Sequence, residues 1–128
     1  MNAVIVPCTQ EKVWDSNATA GPVAAKDAYT KPAFLAWRRH AEQSGGPWFI
    51  LSTKYGLLRP DQQIDQYNVP VSRAVADRGF LALLKKQGTE LGLQQFDRVM
   101  LLDWEKFEPL VRAALPNQEQ FELKRLLY

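Results

Sequence analysis

The sequence predicts an α/β protein, a single three-layer domain over residues 1–128 in which a small, mostly parallel sheet is flanked by helices. Three observations carry that expectation. Short unbroken apolar runs end in Val6, Leu51 and Leu102 without the polar alternation of a half-exposed strand, so they read as strands covered on both faces. Segments with apolar residues at helical spacing lie between and after them. Strands alternating with helices imply a parallel sheet, and 128 residues suit one core rather than two.

The first strand is Ala3-Val4-Ile5-Val6, stopped by Pro7, with Cys8 and Thr9 just beyond it. Gln10 to Ala25 is rich in Gly, Pro, Asn and Ser without a period. It reads as a loop long enough to act as a lid, with Trp14 as a packing anchor or a ligand-stacking platform. Thr30 as N-cap and Pro32 in the first turn predict a helix from about Lys31 to Ser44, its core face carrying Phe34, Leu35, Trp37 or Arg38, and Ala41. The second strand, Trp48 to Ser52, delivers Ser52, Thr53, Lys54 and Tyr55 to one place before Gly56 turns the chain. A bare connection needs about two to six residues. The excursion from Thr53 to Tyr67 is longer and carries Asp65 and Tyr67 as well, which suggests a site.

Ser72 would cap a helix running to about Leu91, with Phe80, Leu83, Leu84 and Leu91 inward and Gly79 and Gly88 weakening its continuity. Phe96 to Leu102 is the third strand, ending on Asp103, and Glu105 to Leu115 is a helix stopped by Pro116. Asn117 to Tyr128 fits a short helix or an edge strand equally well. In open parallel sheets ligands bind beyond the carboxyl ends of the strands. Cys8 with Thr9, Ser52 to Tyr55, and Asp103 therefore converge on one edge.

Several function classes are excluded by what the chain lacks. One cysteine and one histidine leave neither a disulfide framework nor a structural zinc site, so no metal is expected. Neither a G-x-G-x-x-G nor a Walker A pattern is present, so no dinucleotide or nucleoside-triphosphate cofactor is expected. No apolar run approaches the roughly 18 residues of a membrane span, and the first residues do not read as a signal peptide. The expectation is a cytoplasmic protein with no membrane partner. A net charge of +2 neither demands nor excludes nucleic acid. Oligomeric state is open.

The residues at the predicted edge divide by the chemistry they could carry. Asp27 and Asp65 are candidate general bases or stabilisers of an oxocarbenium-like centre, and Ser52 with Lys54 could form an activated hydroxyl. Asp27 could equally cap a helix, and Asp65 could pair with Arg59 or Lys54. Lys12 and Lys54 could hold a phosphate or a developing anion. Tyr29 and Tyr67 could position a sugar or base, and the amides at Tyr55-Gly56 could bind an anion. Cys8 could be a nucleophile, but its only imidazole partner would be His40 on a helix, so a small buried thiol beside the substrate is the simpler reading. Arg38 and Arg39 are either a solvated helix face or a nucleic-acid contact.

The pattern Pro7-Cys8-x-x-x-Lys12, Asp27-x-Tyr29-Thr30, Leu51-Ser52-x-Lys54-Tyr55-Gly56-Leu57-Leu58-x-Pro60 and Ile64-x-x-Tyr67 resembles a family of small bacterial and phage proteins. That family is similar to the YaaA peroxide-stress proteins, which carry a like Y-G-L-L-R-P and I-x-x-Y segment. The P-C-x-x-x-K element also resembles the core of archaeosine synthase, an enzyme working on a deazaguanine base in tRNA. Val13-Trp14 stand where that enzyme has Pro-Tyr, and the family resemblance implies a glycine near Asp103. The resemblance together with the residues implies an enzyme acting on a nucleotide or nucleic-acid base, at the base or its N-glycosidic bond and without a metal. The alternatives are a non-enzymatic DNA-binding stress protein using Arg38, Arg39, Lys85 and Lys86, or a phage-type protein-interaction module.

Overall fold

The computed structural model describes residues 1–126. Its order is β1 (Asn2–Pro7), α1 (Val13–Ser16), β2 (Val23–Ala24), α2 (Ala25–Ala28), α3 (Pro32–Gln43), β3 (Trp48–Ser52), β4 (Gly56–Leu58) and β5 (Gln63–Ile64), then α4 (Val71–Ala76), α5 (Arg78–Glu90), β6 (Arg98–Leu102), α6 (Glu108–Ala114) and β7 (Phe121–Lys124). Five strands form the main sheet in the order β4-β3-β1-β6-β7. β1 lies at its centre, parallel to β3 through Ile5 opposite Phe49 and to β6 through Ile5 opposite Leu101. Only β4, folded back on β3, runs antiparallel. Val4, Ile5 and Val6 are all buried, as an apolar run without alternation requires of a strand covered on both faces. The buried apolar residues make one continuous cluster.

Where the structure departs from the sequence reading, local hydrogen bonding or helical phase gives the reason. Gln10 to Ala25 is not a bare loop. It holds the single turn α1, and β2 pairs with β5 in a second, two-stranded sheet. Trp14 is buried there and its indole N–H donates to the Gly21 carbonyl at 2.8 Å, so it is a packing anchor. Thr30 does not cap α3. Lys31 occupies the N-cap position with Pro32 starting the helix, and the Thr30 amide is spent on the Glu11 carbonyl. Phe34, Trp37 and Ala41 form the buried stripe of α3, which leaves Leu35 44% exposed. The long helix from Ser72 is two helices. Pro70 is the N-cap of the first, and the chain breaks at Asp77, whose carboxylate accepts the Phe80 amide and restarts it. On α5 the inward stripe is Phe80, Leu84 and Gly88, and Leu83 points away from it at 38% exposure.

The tail settles as a strand. A short turn over 118–120 leads into β7, parallel to β6, and the end of the Asn117–Tyr128 segment lies outside the described residues. Asp103, directly after β6, has φ 52°, a left-handed conformation that glycine adopts without strain. Its carboxylate accepts from the Trp37 indole and the Leu126 amide, both at 2.7 Å, and those bonds hold an aspartate in that conformation. Among the described residues no helix is long and apolar enough to cross a membrane.

Candidate functional site

Pairing of the parallel strands brings the site together. Pro7 lies opposite Leu51, and the Cys8 amide donates to the Leu51 carbonyl at 3.0 Å, so the thiol sits beside the end of β3. Lys12 forms an isolated bridge with Tyr29, which draws a second loop to the same point. The Tyr29 and Tyr67 hydroxyls are 2.5 Å apart, next to Ser52. The Lys12 ammonium nitrogen is 4.5 Å from the centre of the Tyr67 ring and 5.9 Å from that of Tyr29, and it donates to the Gln10 carbonyl at 3.2 Å.

These polar groups are inside the protein. Lys12 is 6% exposed, Cys8 5%, Tyr29 1%, Tyr67 7% and Ser52 0%. Burial raises the Cys8 thiol above its ordinary value of 9.0, against the opposing pull of hydrogen bonds from Tyr67 and Thr53 and of the Lys12 charge. Burial likewise lowers Lys12 below 10.5, opposed by Cys8 and Asp15. Both tyrosines are raised, by burial first and by Cys8 second. Burial works against the charged form of each of these groups, in a cluster able to exchange protons.

A cavity of about 220 Å³ opens on this cluster. Cys8, Lys12 and Thr53 contribute its polar wall, and Val69, Trp104 and Phe107 an apolar one. Trp104 and Phe107 are stacked at 5.2 Å between ring centres. Lys12 and Cys8 are its titratable lining.

The model of a family of unknown function, DUF6884, matches residues 3–115. The chain belongs to the DUF6884 family. A further similarity is to YfjM of Bacillus subtilis (strain 168), itself uncharacterised, with 33% identity over 116 residues, 90% of this chain and 77% of YfjM. The whole cavity and its polar cluster lie inside the DUF6884 span, while β7 lies beyond it.

The sequence-predicted site residues of this DUF6884 chain separate into two groups. Cys8, Lys12, Tyr29, Ser52 and Tyr67 meet in the buried cluster. Ser52, however, spends its oxygen on the turn, accepting the Lys54 and Tyr55 amides at 3.1 and 3.0 Å. That also occupies the Tyr55 amide that an anion would need. Lys54 is exposed, its amine 5.1 Å from the centre of the Tyr55 ring. Tyr55 packs edge-on against Tyr67, and its hydroxyl bonds the backbone of Asp65. Gly56 has φ 79°, and its missing side chain leaves room for the Gln87 amide, which clamps the turn by accepting from Leu57 N and donating to Tyr55 O.

The two candidate carboxylates point elsewhere. Asp27 is exposed and pairs with Arg38 at 3.0 Å, and Asp65 is exposed with its side chain accepting the Gln66 amide. Arg38 is further engaged by Glu42 at 3.5 Å and by the Lys26 carbonyl, whereas Arg39 is exposed. Among the described residues no group of three or more His, Cys, Asp or Glu could hold a metal. Sequence reasoning missed Asn68 and Trp104 as lining residues. Trp104 had a usable signal, since an aromatic side chain two residues past a strand's carboxyl end stands at the ligand edge of a parallel sheet.

Proposed function

We propose that this protein binds a nucleotide or nucleic-acid base at the carboxyl edge of its sheet and acts on the base or its N-glycosidic bond. The observation that carries the reading is the cavity at the end of β1, with a stacked indole on one side and a buried amine and thiol on the other. Ligand pockets for drug-sized molecules run to about 300–1,000 Å³, so a cavity of about 220 Å³ suits a single ring system. Trp104 would stack on that ring. Lys12 would give or take a proton at a ring nitrogen or steady a developing anion, in surroundings dry enough to strengthen the contact. The resemblance of the P-C-x-x-x-K segment to archaeosine synthase supports the same ligand class. Asp27 and Asp65 have no part in this reading, because neither lines the cavity.

The DNA-binding alternative is weakened by pairing, since Glu42 and Asp27 engage Arg38, and Glu90 lies 3.9 Å from Lys86. Right-handed crossovers would also place α3 on one face of the sheet and α5 with α6 on the other, giving three layers. The two basic pairs would then belong to different surfaces.

The test is release of free base, followed by chromatography, from a panel of nucleosides, nucleotides and short oligonucleotides, with binding measured by calorimetry alongside. Wild type should bind and release base. Lys12→Met should keep the fold and lose release. Absence of both binding and release across the panel would sink the proposal.

A further inference from the structure

A second, smaller hollow of about 160 Å³ adjoins the first, lined by Gln10, Lys12, Asp15, Gln66, Tyr67 and Asn68. Gln10, Lys12 and Asn68 line both, so the two hollows meet there. The two differ in chemistry. The larger has the aromatic pair, while the smaller is lined by amides, an amine, a phenol and a carboxylate. One of the Asp15 oxygens accepts the Lys12 amide at 3.0 Å, and the other is unpaired among the described residues. Lys12 is nine-tenths buried, and among the described residues its amine has a single hydrogen-bond acceptor, the Gln10 carbonyl.

We infer that the two hollows together take one nucleoside, with the base against Trp104, the ribose in the smaller hollow, and Lys12 at the junction where the glycosidic bond would lie. This deepens the functional reading above and rests on it. Ribose is the fitting occupant on three grounds. The smaller hollow is polar, as vicinal hydroxyls require. Asp15 offers a free carboxylate oxygen, the group that commonly receives a ribose hydroxyl. The charges of Lys12 and Asp15 offset each other, so nothing there compensates a phosphate dianion, whose binding would call for cations or free backbone amides.

The experiment is a calorimetric series on wild type with the common bases, their ribonucleosides, 2′-deoxyribonucleosides and 5′-monophosphates. A hydrogen bond to a charged group gives about tenfold or more in affinity. The ribonucleoside should therefore bind at least about tenfold more tightly than its free base or its 2′-deoxy form, and the 5′-phosphate should add nothing. Asp15→Asn keeps an oxygen to accept the Lys12 amide and loses the second acceptor. It should bring ribose and deoxyribose forms level. If base and ribonucleoside bind equally, or the monophosphate binds about tenfold better than the nucleoside, the inference is overturned while base binding stands. If none binds, the functional reading falls and this falls with it. Should Asp15→Asn fail to fold, the wild-type comparison of ribose and deoxyribose forms still decides.

Discussion

The two ends of the same strands are built on opposite principles. At the carboxyl end, polar groups are buried and satisfied by one another, whereas at the amino end they stand in water. There the terminal ammonium and Asp97 pair at 2.8 Å with side chains 68% and 81% exposed. That end also has the larger hollow, about 300 Å³, lined by Met1, Asn2, Val4, Ser44, Gly45, Gly46 and Met100. Size therefore does not locate the site. What distinguishes the carboxyl end is a buried amine beside a thiol and two phenols at a cavity, the kind of cluster that marks a candidate site.

Substitutions at matched positions measure the contrast. The turn glycines have nearly the same backbone angle, φ 79° at Gly56 and 77° at Gly45. An added Cβ at Gly56 would press into the Gln87 amide, while at Gly45 nothing lies within 4 Å. Gly56→Ala should cost about 2–4 kcal/mol, from left-handed strain plus loss of the Gln87 bonds. Tyr67→Phe, which strands the buried Tyr29 hydroxyl, should cost about 2 kcal/mol. Gly45→Ala carries the strain alone, about 1 kcal/mol. Asp97→Asn should leave stability within error, because an exposed pair is screened by solvent. Urea denaturation of the four variants checks the order, and equal losses at Gly56 and Gly45 would erase the contrast.

The buried cluster also sets the response to alkali. Cys8, Tyr29 and Tyr67 hold their protons beyond the ordinary values of 9.0 and 10.0 when folded, so the unfolded chain releases them first. Stability then falls as pH rises through that range. Lys12 acts oppositely, adding stability with pH up to 10.5 and nothing beyond. Above pH 10.5 the thermal midpoint should drop, and the drop should be shallower in Tyr67→Phe than in wild type. Parallel curves would mean the phenol is not as buried as described.

Much of this was legible in the residues. The apolar runs located the central strands, and strand polarity alone placed Cys8, Ser52 and the Thr53 turn together. The excursion from Thr53 to Tyr67 was harder, because a three-residue strand such as β4 and a two-residue strand such as β5 have no period to read. The carboxylates lie outside the buried cluster for a related reason. Asp27 and Asp65 are near the site in sequence, but pairing with Arg38 and a local bond to the Gln66 amide engage their side chains at the surface. Lys12, an isolated lysine in an apparent loop, gave no sign of burial, since the bridge to Tyr29 that encloses it is a tertiary contact.

The most direct test of the central claim is an amide chemical-shift titration with the tightest-binding nucleoside. Shifts should concentrate at Cys8, Thr9, Lys12, Thr53, Asn68 and Trp104, with Gly45, Gly46 and Met100 unmoved. Shifts centred on the amino end, or on Arg39 and Lys85 and only with oligonucleotides, would contradict it.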